Sequence, residues 1–178
     1  MPVRKTELSL AISLDESMSQ WTQRYTIPNW TYCPRKPTPM GQQYHDMADA
    51  ESHIAFVFEM VESGVKKYED RMQSKMAAMC YRLLKRSKLL NDKERIVCGD
   101  SAFPSVELLC WLHMKGLHGI FAFKKKGSNW PKFIPGEELY KRTLALQFGK
   151  STSRSAIFDF EEFEERGLEP LNMYICGL

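Results

Sequence analysis

The first part of the chain has the pattern of alternating apolar and polar residues that is typical of β-strands. The alternation over residues 8–14 predicts a strand that ends at Asp15. A short strand over 30–33, a less regular segment over 41–49 and an apolar, β-branched run over 53–61 follow. Together these segments predict an antiparallel meander.

The pattern changes to helical spacing beyond residue 65. Apolar residues three and four positions apart over 65–90 predict one long helix. In that helix Met72, Met76 and Met79 form a stripe that favours packing in the core over a binding face. Residues 95–100 then predict a short buried strand.

A second helix and a further strand follow this buried strand. Pro104 is suited to a helix start, Ser101 could cap that helix, and Gly116 can end it. The apolar run over 119–123 predicts the next strand. A strand, a helix and a strand in this order predict a parallel pair joined by a right-handed crossover.

The last part of the chain has a weaker signal. Residues 137–146 predict a short helix, and the final thirty residues show little periodicity. We therefore predict an α/β core over 1–135, with a mixed sheet flanked by helices, and a divergent segment over 136–178 that forms no clear domain.

Composition narrows the class of protein. The chain has 178 residues, 43% hydrophobic and 26% charged, with a net charge of +3, a profile typical of one soluble globular domain. This mild basic excess allows nucleic-acid binding without indicating it. No signal peptide or apolar stretch long enough for a membrane span is found, so we expect no membrane partner.

Cysteine and histidine spacing excludes the common disulfide and zinc motifs. The five cysteines are odd in number and include no CxxC pair, which favours a reducing compartment, the nucleus or the cytosol. Cys80, Cys98 and Cys110 lie among apolar residues and are expected to pack as small core side chains. The four histidines match no closed zinc motif.

Two aspartates occupy the same kind of position. Asp15 and Asp100 each follow a predicted strand. Acids at the ends of neighbouring strands can hold Mg²⁺ through their carboxylate oxygens and leave coordination positions for water and phosphate. The alternative is that both are ordinary turn residues, since Asp is common in turns.

Four short blocks in order over residues 8–135 carry a family resemblance. They are LDESMSQW at 14–21, RKPTPMG at 35–41, GDSAFPSV at 99–106, and LHMKGL with FAFKK within 112–125, the last followed by WPK at 130–132. This series resembles the piggyBac transposases. Ala102 departs from the pattern, because the family usually has an aromatic residue there.

The resemblance implies a fold and a chemistry. It implies an RNase H-like catalytic domain that acts on DNA by metal-dependent strand cleavage and transfer. By this resemblance Asp15 and Asp100 are the first and second catalytic, metal-binding acids, with Mg²⁺ or Mn²⁺ as cofactor and no small-molecule cofactor. The partner implied is DNA, and the chain could form a homodimer.

The third acid of the family is not identifiable. Asp159 is the only aspartate after Asp100, and its surroundings do not resemble the family's third block. We therefore expect a truncated domain that is inactive alone. Two alternatives are a non-catalytic DNA- or protein-interaction module with a vestigial metal site, and a product that folds poorly.

Basic and aromatic residues near the two aspartates are candidates for DNA contacts. The basic candidates are Arg24, Arg35, Lys36, Lys124, Lys125 and Lys126, which could bind phosphates. Trp21, Tyr25, Trp30 and Tyr32 could stack on unpaired bases. The alternatives are solvated basic clusters and aromatic side chains that close the core, the latter favoured for Trp30 and Tyr32.

Overall fold

The computed structural model describes residues 8–23, 26–62, 74–91, 94–123, 152–158 and 171–177. In chain order the elements are β1 Ala11–Gln20, β2 Trp30–Tyr32, β3 Met40–Asp49, β4 Ala55–Met60, α1 Lys75–Ser87, a 3-10 turn Leu89–Asn91, β5 Ile96–Gly99, α2 Val106–Met114, β6 His118–Phe121, β7 Thr152–Phe158 and β8 Leu171–Gly177.

The six strands β1 to β6 form one mixed sheet. Its order is β4-β3-β1-β5-β6, with the short β2 also paired to β3. The pairings among β1, β2, β3 and β4 are antiparallel, whereas β5 runs parallel to both β1 and β6. The predicted meander and the predicted parallel strand–helix–strand unit are both confirmed.

The core lies between the sheet and the two helices. Ile12 and Leu14 of β1 and Val97 of β5 are fully or almost fully buried, as are Leu83 of α1 and Leu108 of α2. They belong to one apolar cluster, in which α1 and α2 cover a single face of the sheet. Alternate residues of β1 therefore face this core, and the residues between them face away from it.

Helix ends are defined by serine caps and by left-handed residues. The Ser74 hydroxyl accepts the Ala77 N–H at 3.3 Å at the start of α1, and Lys88 ends the helix with φ 63°. The prediction that Ser101 caps the second helix is wrong. Ser105 accepts the Leu108 N–H at 3.1 Å instead, because the chain becomes helical only after Pro104.

The predicted long helix is shorter where the structure describes it. It begins at Lys75, and of the predicted range the residues 65–73 lie outside the described residues. The methionine stripe is confirmed for the part described: Met79 is buried and Met76 packs on the core. Met72 lies outside the described residues.

The prediction that the first strand ends at Asp15 is also wrong. Strand β1 continues to Gln20, because β3 pairs with it from Asp49 to Gly41. The apolar alternation stops at Leu14, because the next residue on the same face is Glu16, whose carboxylate lies 3.9 Å from the Nε2 atom of His45. Alternation thus reports which side chains are apolar, whereas strand length is set by backbone pairing.

A buried carboxylate fixes the beginning of β1. Asp49 accepts hydrogen bonds from the Ser9 N–H and from both the N–H and the hydroxyl of Ser52. These hydrogen bonds hold the pKa of Asp49 well below its ordinary value. The turn predicted over 49–52 therefore also ties the N-terminal segment to the β3–β4 hairpin.

Buried thiols support the assignment of cysteines to the core. Cys80 and Cys110 are free and buried, and burial raises their pKa values to about 12 and about 11. Cys98 is free but only half-buried.

Across the described ranges, no helix is both long and apolar enough to cross a membrane.

The C-terminal part contains a hairpin that the sequence pattern does not reveal. Strands β7 and β8 pair antiparallel as a separate two-stranded sheet, with Thr152 opposite Gly177. Weak periodicity hid both strands, since neither shows an apolar run bounded by clear turn signals. The helix predicted over 137–146 lies outside the described residues.

Candidate functional site

Asp15 and Asp100 each come directly after the last paired residues of two neighbouring strands. Parallel pairing of β1 and β5 ends with Leu14 beside Gly99. Asp15 and Asp100 therefore follow the same end of this pairing, one residue beyond it on each strand. The prediction that Asp100 directly follows a strand is confirmed, whereas Asp15 lies within β1, at the point where β5 leaves it.

Both carboxylates face solvent and are held by the backbone. Asp15 and Asp100 are exposed, and Asp15 alternates with the buried Leu14. One oxygen of Asp15 accepts the Glu16 N–H at 2.7 Å, and one oxygen of Asp100 accepts the Ala102 N–H at 2.8 Å. Each carboxylate is thus oriented through one oxygen while its second oxygen can meet a ligand.

A further acid lies beside this pair. Asp46 of β3 is directly opposite Asp15 in the antiparallel register, so their side chains share the face that points away from the core. Directly opposed like charges destabilise a sheet. Asp15 and Asp46 therefore place two negative charges side by side, which a bound cation would relieve.

The donor set fits part of a divalent-metal site. Carboxylate oxygens are the ligands that Mg²⁺ and Mn²⁺ prefer, and Asp15 with Asp100 could supply two. In the part of the chain that the structure describes, no group of three or more His, Cys, Asp or Glu side chains is arranged to hold a metal. Asp159 lies outside that part.

One predicted basic residue lies at the site. The ammonium group of half-buried Lys36 donates a hydrogen bond to the backbone carbonyl of Glu16. Successive residues of β1 direct their backbone hydrogen-bonding groups alternately toward β3 and toward the opposite side of the strand. The Glu16 carbonyl lies on that opposite side, where β5 pairs with β1 only as far as Leu14. Lys36 therefore supplies positive charge one residue from Asp15.

The other basic candidates are less well placed by the structure. Arg35 is exposed in the loop before β3. Arg24 and Lys124 to Lys126 lie outside the described residues. A cationic surface around the aspartates thus stays a prediction for these residues.

The aromatic candidates lie at the far end of β1. Tyr32 is 60% exposed and Trp21 43% exposed, so the preference for Tyr32 as a core residue is wrong. Tyr32 is the end residue of the short β2, which pairs with β3. Trp30 is half-buried and donates its indole N–H to the Trp21 carbonyl at 3.0 Å, and Tyr25 lies outside the described residues.

A row of polar side chains crosses the sheet on the opposite, core-facing side. His45 of β3 lies between Glu16 of β1 and Glu59 of β4 in the strand register. Its Nε2 atom is 3.9 Å from a Glu16 carboxylate oxygen. Buried Glu59 is bound by the Arg82 guanidinium at 2.7 and 2.9 Å. The polar row thus extends from Glu16 through His45 and Glu59 to Arg82 of α1, on the face of the sheet opposite to the Asp15 side chain.

Burial lowers the pKa of His45 below its ordinary value of 6.5, and Arg82 adds to the effect against the opposing charges of Glu16 and Glu59. A folded-state pKa below the unfolded value stabilises the fold above pH 6.5, and this contribution is lost as pH falls through the folded-state pKa.

We expect His45→Phe to flatten the decline of the unfolding free energy as the pH falls below 6.5. Urea denaturation at pH 7.5 and 5.0 measures it, and equal declines in both proteins would contradict the assignment.

Sequence patterns missed Asp46, His45, Glu16 and Glu59 as neighbours of the candidate site. Glu16 lies at the predicted end of the first strand but was assigned no role, and the segment over 41–49 had no clear period. The turn predicted over 49–52 indicates the β3–β4 hairpin, but a register shift between Met47 and Ala48 moves the pairing by one residue, and this shift sets His45 opposite Glu59.

Comparisons with known proteins agree with this architecture. Residues 4–164 match the protein-family model described as Transposase IS4. The fold is similar to that in the cryo-EM structure of a piggyBac transposase synaptic complex with hairpin DNA, with a TM-score of 0.62 and 17% sequence identity. This likeness covers 86% of the present chain and 29% of the other. The comparison with curated proteins finds no match.

Proposed function

Because the chain belongs to the Transposase IS4 family and has the RNase H-like fold of a piggyBac catalytic domain, we propose that Asp15 and Asp100 hold a divalent metal ion against DNA. The observation that supports the proposal is the register, in which the last pair of β1 and β5, Leu14 with Gly99, directly precedes these two exposed acids. The domain is related to DNA transposition. Binding of a divalent metal ion and of DNA is the activity that we propose for it.

The residues of the chain have distinct parts in this proposal. Asp15 and Asp100 would bind the ion through the carboxylate oxygens that the backbone N–H groups leave open. A divalent ion supplies Lewis-acid activation of water and stabilisation of the leaving oxygen in phosphodiester chemistry. Lys36 and Arg35 would contact phosphates, which positions DNA without reading its sequence.

We expect little or no DNA cleavage by this chain alone. Two carboxylates neutralise only half the charge of the two ions that such chemistry commonly uses. A strand-cleavage assay with Mg²⁺ or Mn²⁺ measures this. Robust turnover that Asp15→Asn abolishes would contradict the expected inactivity while supporting the assignment of Asp15.

A non-catalytic DNA-binding module is the second candidate, favoured by the lack of a three-ligand group among the residues described. DNA affinity should fall with added salt, and Arg35→Ala should reduce the slope of log affinity against log salt by about 1.

Fluorescence anisotropy of labelled DNA with and without Mn²⁺ separates the metal-dependent function from the non-catalytic module. Affinity that Mn²⁺ leaves unchanged in both wild type and Asp100→Asn favours the module, and a Glu51→Gln variant controls for loss of any exposed acid.

A further inference from the structure

The two acid-bearing segments meet at one buried side chain on the other side of the sheet. His45 faces Glu16, the residue after Asp15, with its Nε2 atom 3.9 Å from the carboxylate. The same imidazole packs edge-on against Phe103, with ring centroids 6.2 Å apart and an interplanar angle of 79°. His45 therefore contacts both the strand that carries Asp15 and the turn that carries Asp100.

Phe103 is the anchor of the Asp100 turn. It is completely buried, and its N–H approaches the Asp100 carbonyl at 3.4 Å. Within the same turn the Asp100 carboxylate accepts the Ala102 N–H. A shift of the Phe103 ring would thus move the backbone that orients the Asp100 carboxylate.

His45 itself is held from the side opposite Glu16. Glu59 is its partner in the β4 register, and Arg82 of α1 fixes the Glu59 carboxylate through two short hydrogen bonds. Asp46, the next residue on β3, points to the opposite face. The imidazole is therefore confined between Glu16, Glu59 and the Phe103 ring.

We propose that His45 is a positioning residue that sets the placement of Asp15 relative to Asp100, through Glu16 on one side and Phe103 on the other. This rests on the proposed function for the identity of the ligand, a divalent cation. The placement of the two carboxylates is a property of the metal-free protein and can be measured without it.

Two backbone amides report the two carboxylates separately. The Glu16 N–H is bonded to Asp15, and the Ala102 N–H is bonded to Asp100. In metal-free protein, His45→Ala should speed the exchange of both amides with water by about tenfold beyond any change in global stability. Because His45→Phe keeps a ring against Phe103 and loses the contact with Glu16, it should restore slow exchange at Ala102 only.

Val57→Ala is the matched control, since Val57 packs half-buried on the core face of β4 and is paired with Met47, whereas Glu59 is the β4 residue paired with His45. Exchange at Glu16 and Ala102 that changes no more in His45→Ala than in Val57→Ala would overturn the proposal. So would an Ala102 amide that His45→Phe fails to restore.

A Mn²⁺ titration separates this proposal from the function on which it rests. If wild type binds Mn²⁺, His45→Ala should weaken binding by about tenfold, as loss of groups that orient metal ligands commonly does. Unchanged affinity would overturn the positioning role. If wild type does not bind while the amides respond as expected, the metal assignment fails and the positioning role stands.

Discussion

Gly41→Ala should lower the free energy of unfolding by about 3 kcal/mol or more. Gly41 has φ +152°, and a Cβ atom there would lie 1.9 Å from the backbone oxygen of Ser19. That oxygen belongs to the neighbouring strand β1, so neither side-chain rotation nor a small local shift relieves the overlap. Strand β3 would have to separate from β1 at the end of the sheet beyond Asp15. Urea or thermal denaturation measures the loss.

Gly116→Ala is the control for backbone conformation. Gly116 has φ +73° just beyond α2, so alanine there adds the strain of a left-handed backbone, about 1 kcal/mol. A Gly41→Ala protein no less stable than Gly116→Ala would show that β3 does not approach β1 as closely as described.

Arg82→Leu should destabilise the protein by about 3 kcal/mol, because it removes the guanidinium that binds a buried carboxylate through two hydrogen bonds. Glu59 is 4% exposed, and its oxygens are bound by Arg82 at 2.7 and 2.9 Å. Arg86 is 3.8 Å from the same carboxylate but is itself largely exposed, so it compensates little. The free energy of unfolding near pH 7 measures the effect.

The double variant Arg82→Leu with Glu59→Leu tests the cause. Replacing a buried ion pair by apolar side chains is often close to neutral, so the second change should recover much of the lost stability. Destabilisations that simply add in the double variant would contradict the assignment, since the two side chains would then act independently.

The sheet could be predicted in part, because residues 8–14 alternate and residues 53–61 form an apolar, β-branched run, whereas β3 has no clear period. The parallel unit formed by β5, α2 and β6 was also predictable, since a short buried strand, a capped apolar helix and another strand follow one another. Asp15 and Asp100 were both found as acids that follow a predicted strand. The family blocks added the expectation that they are the first and second catalytic acids.

The rest depended on register, which the pattern does not encode. The end of β1 could not be predicted, because its second half is polar yet paired to β3. Asp46 and His45 are neighbours in sequence, but the pleat sends them to opposite faces, one toward Asp15 and one toward Glu16 and Phe103. Only the pairing of three strands shows that a polar row lies behind the aspartates.

The central claim is that Asp15 and Asp100 form a shared metal-binding pair. NMR titration with Mn²⁺ tests it most directly, because a bound paramagnetic ion broadens signals from nearby nuclei. We predict that the Glu16 and Ala102 amides of wild type broaden first, and that Asp15→Asn or Asp100→Asn each abolishes this broadening, while Glu51→Gln leaves it unchanged. Absence of selective broadening in wild type, or broadening that survives both substitutions, would contradict the claim.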